Sequence, residues 1–424
     1  MLLLPGRCLR RCAGPYSLSR ADQFAETVWN GPSEAGEVME RMEIRLIRRE
    51  IAELLVHGGA FMPIRAFIRK PHMGAAPDAG LWPGQTTQLP ATKPATTEEN
   101  TMKAIVYHKY GSPDVLRLEE IEKPVPNDNQ VLIRVRAGSV NPLDWHYMRG
   151  TPYIGRLGEM GLLKPKVTRL GVDYAGTVES VGRNVTQFKP GDEVFGGRNG
   201  AFAEYVCVLE DRAVVLKPAN LTFEQASSVP VAAVTALQGL RDKGKIQPGQ
   251  KVLINGASGG VGTFAVQIAK SFGADVTGVC STRNVDMVRS IGADQVIDYT
   301  REDFTKSGQR YDLILDCVGN HSLLECRRAL KPKGKYIMVG GQAGRWIRPL
   351  DRAIRAMVLS RFVSQDIAMF LAKLNKEDLT ILRDLMQAGK VTPVIDRRYG
   401  LSEVPEAIRY LEKGHAQGKA VITV

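Results

Sequence analysis

Asn255-Gly256-Ala257-Ser258-Gly259-Gly260-Val261-Gly262 separates an apolar run of strand length, residues 251–255, from one of helical length, residues 263–272. A glycine-rich turn alone says little. A strand before it and a helix after it give the pattern a mechanism. Ala257 is small enough for a tight turn, Gly259 lets a ligand approach the backbone, and Gly262 lets the helix lie close to the strand. The helix N-terminus then offers free N–H groups and partial positive charge to an anion. The same rhythm continues downstream. Residues 275–280, 295–298, 313–316 and 335–340 read as strands, and residues 285–291 and 322–330 as helices. Regular alternation of this kind predicts an α/β fold with a doubly wound parallel sheet of the Rossmann type, gripping a dinucleotide at the glycine turn.

Upstream the period is different. Residues 131–136 alternate apolar and polar, and residues 171–181, 192–195 and 203–208 read as further short strands between Gly/Pro turns. Strands at that spacing predict an all-β, barrel-like unit. A chain of 424 residues is too long for one ordinary core. We expect a β unit over residues 102–225 and a dinucleotide domain over residues 226–370. Residues 371–424 are expected to return to the β unit with helices at 377–387 and 403–412 and a strand at 420–424. Residues 1–101 read as an N-terminal extension, either disordered or a mis-assigned start ahead of Met102, where a strand begins abruptly. The first twenty residues carry four Arg and no acid, so a mitochondrial transit peptide is the alternative.

The net charge is +12, but the basic residues are scattered (Lys331, Lys333, Lys335, Arg345, Arg348) and not interleaved with aromatics. That pattern fits a solvated surface and an anionic cofactor, and argues against nucleic-acid binding. No run approaches the ~20 apolar residues of a membrane span. The six cysteines show no framework spacing, as expected of reduced thiols in a cytoplasmic protein.

The second strand of the alternating unit ends in Cys280-Ser281-Thr282-Arg283-Asn284. An NAD site places an acid there to bond the ribose 2′-hydroxyl. Ser281 and Thr282 offer hydroxyls instead, and Arg283 offers a guanidinium suited to a 2′-phosphate. NADPH is therefore the expected cofactor.

Several segments together resemble the medium-chain dehydrogenase/reductase superfamily, in its zinc-free quinone oxidoreductase branch. They are Ser139-Val140-Asn141-Pro142-Leu143-Asp144, Gly171-Val172-Asp173-Tyr174-Ala175-Gly176, Phe188-Lys189-Pro190-Gly191-Asp192, Ala201-Phe202-Ala203-Glu204-Tyr205, the glycine turn, and Gly418-Lys419-Ala420-Val421. The resemblance covers residues 102–424. It implies a GroES-like barrel beside the Rossmann domain, a cleft between them, and a homodimer. Zinc-dependent relatives place Cys where this chain has Asn141, and Gly-His-Glu where it has Gly171-Val172-Asp173. An amide is a weak zinc ligand and Val is none. His146 is the sole histidine between His108 and His321, and the barrel region holds only Cys207. A catalytic zinc needs three protein ligands, so no metal is expected.

Without that electrophile, hydride delivery suits an acceptor that is already electron-poor, such as a quinone or an α,β-unsaturated carbonyl. The resemblance implies Asn141 near the nicotinamide, its amide able to donate to a substrate oxygen. Asp144 is expected to hold the loop through backbone bonds. Tyr147 and Tyr153 are candidates for a proton donor or a stacking wall, and His146 for a donor. Thr235 is implied near the nicotinamide ribose and Tyr299 over the adenine. Cys317-Val318-Gly319 and Gly340-Gly341 follow strands, where the chain passes the dinucleotide. An enoyl-thioester reductase and a non-catalytic NADPH-binding regulator are the alternatives.

Overall fold

The computed structural model describes residues 100–158, 160–340 and 363–424. The expectations for residues 1–99 and for Gly341 lie outside the described residues.

The first half of the described chain is β-rich. β1 (Thr101–Val106) and β2 (Arg117–Glu122) form an antiparallel pair. β3 (Gln130–Ser139), β4 (Asp173–Val181), β5 (Glu193–Gly197), β6 (Tyr205–Leu209) and β7 (Val214–Leu216) follow. In β3 the alternation does what its pattern predicts: Ile133 and Val135 are buried while Arg134 and Arg136 face out. Val131, Ile133, Tyr174, Val178, Val194 and Val206, from four strands, close on one core.

Helix α1 (Pro142–Arg149) leaves the end of β3. Sequence reasoning assigned no helix between Asn141 and Tyr153. Pro142 at the first helical position and Gly150 in the left-handed conformation (φ 61°) are its start and stop signals. α2 (Phe223–Ser227) and α3 (Pro230–Leu237) lead out of the β unit.

The alternating unit then forms one parallel sheet. Its strands are β8 (Lys251–Asn255), β9 (Asp275–Cys280), β10 (Gln295–Asp298), β11 (Tyr311–Asp316), β12 (Leu330–Met338) and β13 (Asp366–Met369). They lie in the order β10-β9-β8-β11-β12-β13, with every neighbouring pair parallel. Counted from β8 this is the 3-2-1-4-5-6 order of a Rossmann sheet. Helices α4 (Gly260–Ser271), α5 (Val285–Ser290) and α6 (Leu323–Arg328) are the crossovers. Val252 and Ile254 pack with Phe264 and Ile268 of α4, while Leu253 faces the opposite layer with Ile314 and Cys326. A strand covered on both faces has no polar side, which is why residues 252–254 are a continuous apolar run.

The C-terminal stretch contributes α7 (Lys376–Gln387), β14 (Ile395–Gly400), α8 (Val404–Glu412) and β15 (Lys419–Thr423). β15 pairs antiparallel with β3 and parallel with β14. The second sheet therefore runs β14-β15-β3-β4-β5-β7, with β6 also on β3. Just before β15, the Gly418 N–H donates to Ser258 O at 2.9 Å, and Gly418 bridges Gly259. The last strand of the β-rich sheet is thus bonded to the glycine turn of the parallel one. No helix among the described residues is long and apolar enough to cross a membrane.

Candidate active site

The glycine turn lies where the parallel sheet reverses its winding, between β8 and β11. In open α/β sheets ligands bind outside the carboxyl ends of strands at this point. The tight bend falls on Gly256 (φ +84°), one residue before the Ala257 predicted to make it. A Cβ on Gly256 would lie 2.7 Å from Val318 Cγ2. Ala257 is fully buried and packs beneath the turn instead. A Cβ on Gly262 would lie 2.0 Å from Gly256 O, so glycine is what lets α4 start against the turn. On Gly259 a Cβ would meet only Gly256 O, at 3.5 Å. That face is open, directly over the first turn of α4, where Gly260 and Val261 begin the helix and backbone N–H groups lack intrahelical partners.

Other predicted cofactor residues gather around it. Asn284 Nδ2 donates to Ser258 Oγ at 3.0 Å and to Ser281 Oγ at 3.3 Å, joining the turn to the end of β9. Its Oδ1 is buried and accepts no hydrogen bond from the described residues. Cys317 N donates to Asn255 O, and Val318 N and Gly319 N both donate to Asp316 Oδ1. Gly340 presses on Cys317: a Cβ there would lie 2.1 Å from Cys317 O. Burial pushes the Cys317 thiol well up, which suits packing and not nucleophilic attack. Tyr299 is tied to β9 by its N–H to Cys280 O, with its ring half-exposed. Thr282 Oγ1 donates to Asp298 Oδ2 at 2.6 Å. Arg283 is exposed at the rim, its Nη2 donating to His415 O at 2.8 Å. Thr235 sits on α3, its hydroxyl donating to Val231 O one turn back.

Facing this edge is the end of β3, with a fully enclosed polar cluster. Ser139, Asn141, Asp144, Asp173 and Lys419 are each no more than 3% exposed. Asp173 Oδ2 accepts from Ser139 Oγ and Asn141 Nδ2, both at 2.8 Å, and Oδ1 accepts from Val231 N at 3.0 Å. Lys419 Nζ lies 2.5 Å from Asn141 Oδ1, 3.2 Å from Val140 O and 3.5 Å from Asp173 Oδ2. Asp144 accepts from Asn141 N at 2.7 Å and Gly171 N at 3.2 Å, the loop-holding role expected of it. Burial pushes the Asp144 carboxyl up to about 7, with Asp173 adding and the two backbone bonds and Lys419 opposing. Burial lowers the Lys419 ammonium, and Asp173 and Asp144 counter it.

One expectation changes here. The Asn141 amide hydrogens go to Asp173 and to Ser139 O, so they hold the cluster together and do not point at a substrate oxygen. The aromatic candidates line the next stretch. Tyr147 is half-buried on α1, packed with Trp145 in the core shared with α8. The Arg156 guanidinium lies over the rings of both Tyr153 (4.7 Å) and Tyr110 (4.2 Å). Burial lowers the His146 pKa, opposed by the bond from its Nδ1 to Thr151 O at 2.8 Å. Lys419, Asp173 and Asn284 were not among the predicted site residues. The first two lay in segments already singled out by their motif, and Asn284 closes the segment that held Arg283.

Residues 127–219 match the family described as alcohol dehydrogenase GroES-like domain, and residues 291–422 the one described as zinc-binding dehydrogenase. The bovine (Bos taurus) mitochondrial NAD(P)H oxidoreductase RTN4IP1 is 34% identical over 383 residues, covering 81% of this chain and 95% of that protein. The chloroplastic NADPH-dependent alkenal/one oxidoreductase of Arabidopsis thaliana is 34% identical over 336 residues, covering 76% and 79%. The solved quinone oxidoreductase of Coxiella burnetii superposes with a TM-score of 0.68 at 33% identity, covering 76% of this chain and 99% of that one. A Rossmann strand order, a GroES-like match and relatives that align over most of both chains lead to one conclusion: this chain belongs to the medium-chain dehydrogenase/reductase superfamily, among relatives that are quinone and alkenal oxidoreductases.

Proposed function

We propose that this chain is an NADPH-dependent reductase that works without zinc and passes hydride to quinones or α,β-unsaturated carbonyls. The observation that carries the reading is the glycine turn opening at the switch point of the sheet, with Arg283 and no acid at the end of β9. The relatives named for NADPH, alkenals and quinones support it. The open face at Gly259 and the first turn of α4 fit a pyrophosphate, and the unpartnered Asn284 Oδ1 fits a ligand hydroxyl. Ser281, Thr282 and Arg283 would hold the adenosine end, the Arg283 guanidinium, now on His415 O, being the group suited to a 2′-phosphate. Tyr299 would cover the adenine. Cys317, Val318, Gly319 and Gly340 would line the middle, and Thr235 would meet the nicotinamide ribose.

When bound, NADPH supplies the hydride. The chain's own part is to position it, exclude water and furnish a proton, for which Tyr147 and Tyr153 are the candidates. The donor set supports a zinc-free reading. Lys419 already places a cation against Asn141 and Asp173, and no group of three or more His, Cys, Asp or Glu among the described residues is arranged to hold a metal.

The test is NADPH consumption with a quinone, an enal, a crotonyl thioester, and an alcohol with NADP. Turnover of the quinone or enal is expected. Zinc-dependent alcohol oxidation, or tight NADPH binding with no turnover of any acceptor, overturns the reading. Arg283→Asp is expected to shift the preference from NADPH towards NADH by about tenfold or more, a loss of about 1.4 kcal/mol. An unchanged preference would remove Arg283 from the cofactor site.

A further inference from the structure

Lys419 is held in an unusual way. Its side chain is buried, only 3% exposed. Its stem passes the start of α4, where a Cβ on Gly260 would lie 3.1 Å from Lys419 Cδ. Its backbone follows Gly418, which is bonded to Ser258. Its ammonium ends among Asn141 Oδ1, Val140 O and Asp173 Oδ2 on the β3 side. A single residue thus spans from the phosphate-facing helix to the floor of the β-rich sheet.

A buried ammonium is costly unless it is paired and hydrogen-bonded. Here the partners do more than neutralise it. Asp173 is already satisfied by Ser139, Asn141 and Val231 without Lys419, whose 3.5 Å approach is its longest contact. The shortest contact is to the Asn141 carbonyl oxygen. With Oδ1 fixed by the ammonium and Nδ2 fixed by Asp173, the Asn141 amide cannot rotate. Asn141 also starts α1, the helix that carries Tyr147. Asp173 Oδ1 in turn receives the N–H of Val231, one turn before Thr235.

We propose that Lys419 is a positioning residue whose ammonium locks the Asn141 amide and, through it, the start of α1 to the dinucleotide turn, so that substrate side and cofactor side are set as one piece. The proposal rests on the reductase reading for its kinetic consequence, but not for its binding one. The two positions it clamps, 141 and 173, are those where zinc-dependent relatives place Cys and Glu. A fixed organic cation here lies against both side chains.

The experiment compares wild type, Lys419→Met, Asp173→Asn, and the double variant Lys419→Met/Asp173→Asn. Three quantities are read: thermal stability, NADPH affinity from nicotinamide fluorescence, and kcat with the best acceptor from the panel. Lys419→Met leaves Asp173 as a buried carboxylate without a counter-charge, so its Tm falls. The double variant removes that charge and regains the Tm. It does not restore the clamp on Asn141 Oδ1. Asp173→Asn alone keeps the ammonium on Asn141 Oδ1 and is run beside it, so that the loss of the carboxylate acceptor is separated from the loss of the clamp, which only the double variant lacks as well. We therefore expect the double variant's kcat to stay about 10- to 100-fold below wild type and below Asp173→Asn, with a deuterium isotope effect from 4-deuterated NADPH that increases as hydride transfer becomes limiting. Its NADPH affinity is expected to fall several-fold. Recovery of kcat and affinity together with Tm, or a double variant no slower than Asp173→Asn, overturns the proposal, because Lys419 then only balances a charge. If Lys419→Met fails to fold, the double variant still carries both readouts. If wild type turns over no acceptor, the reductase reading fails while the fluorescence titration still decides the role of Lys419.

Discussion

Burial pushes the Asp144 carboxyl up to about 7 because its ionised form has no water, even though two backbone N–H groups and Lys419 favour that form. The folded protein therefore holds this proton more tightly than the unfolded chain, where an Asp carboxyl titrates near 3.9. A folded pKa raised in this way contributes stability that is fully present below the unfolded value and is lost as pH rises through about 7. Asp144→Asn removes the titration. Its Tm relative to wild type is expected to improve between pH 4 and pH 8, checked by calorimetry at both ends. A difference that stays constant with pH would show that Asp144 is ionised throughout. At this scale the sequence was legible where a residue type is forced by its neighbours in the chain. Gly262 was read as the glycine of close helix packing because the turn is local, and a Cβ there would indeed meet Gly256 O. Lys419 was not, because its partner Asn141 is 278 positions away and the motif around it does not say where the ammonium ends. The Asn141 amide was misdirected for the same reason: Asp173, which captures it, is brought in by the β3–β4 pairing.

The start of α4 separates packing from ligand access. Gly262→Ala drives a Cβ onto the backbone oxygen of Gly256, and the helix has to lift. A Tm loss is expected together with a loss of NADPH affinity. Gly259→Ala has ordinary space (nearest atom 3.5 Å) and an extended conformation that alanine accepts (φ −83°, ψ 177°). Its Tm should stay near wild type while NADPH affinity falls about tenfold or more, because the methyl group fills the open face. Equal losses of Tm in both variants would mean that this face is packed and not a binding surface. Elements were readable in proportion to how local and how apolar they are. Residues 251–255 and 275–280 were placed without error, since parallel strands are continuous apolar runs. β14 was missed because Asp396, Arg397 and Arg398 break any alternation. β2, with four of its six residues charged, gave no strand signal either.

The two sheets are tied at the level of the whole molecule by Gly418 to Ser258, by Lys419 to Asn141, and by Val231 to Asp173. A ligand at the glycine turn should therefore protect both. At 100 times its dissociation constant NADPH stabilises the folded state by about 2.7 kcal/mol. Hydrogen exchange is expected to slow in residues 137–144 and 418–423 as well as in residues 255–263. Protection confined to the parallel sheet would show the ties to be slack. The pairing of β15 with β3 has one more consequence, which concerns synthesis. Ala137, Gly138 and Ser139 receive their β15 neighbours only when residues 421–423 have emerged. At about 5–20 residues per second the ribosome takes roughly 15 to 60 seconds to cover that interval. For that time the newborn chain carries a strand edge with open hydrogen-bonding groups, and a chaperone that shields it until the last strand arrives would raise the yield of the finished protein.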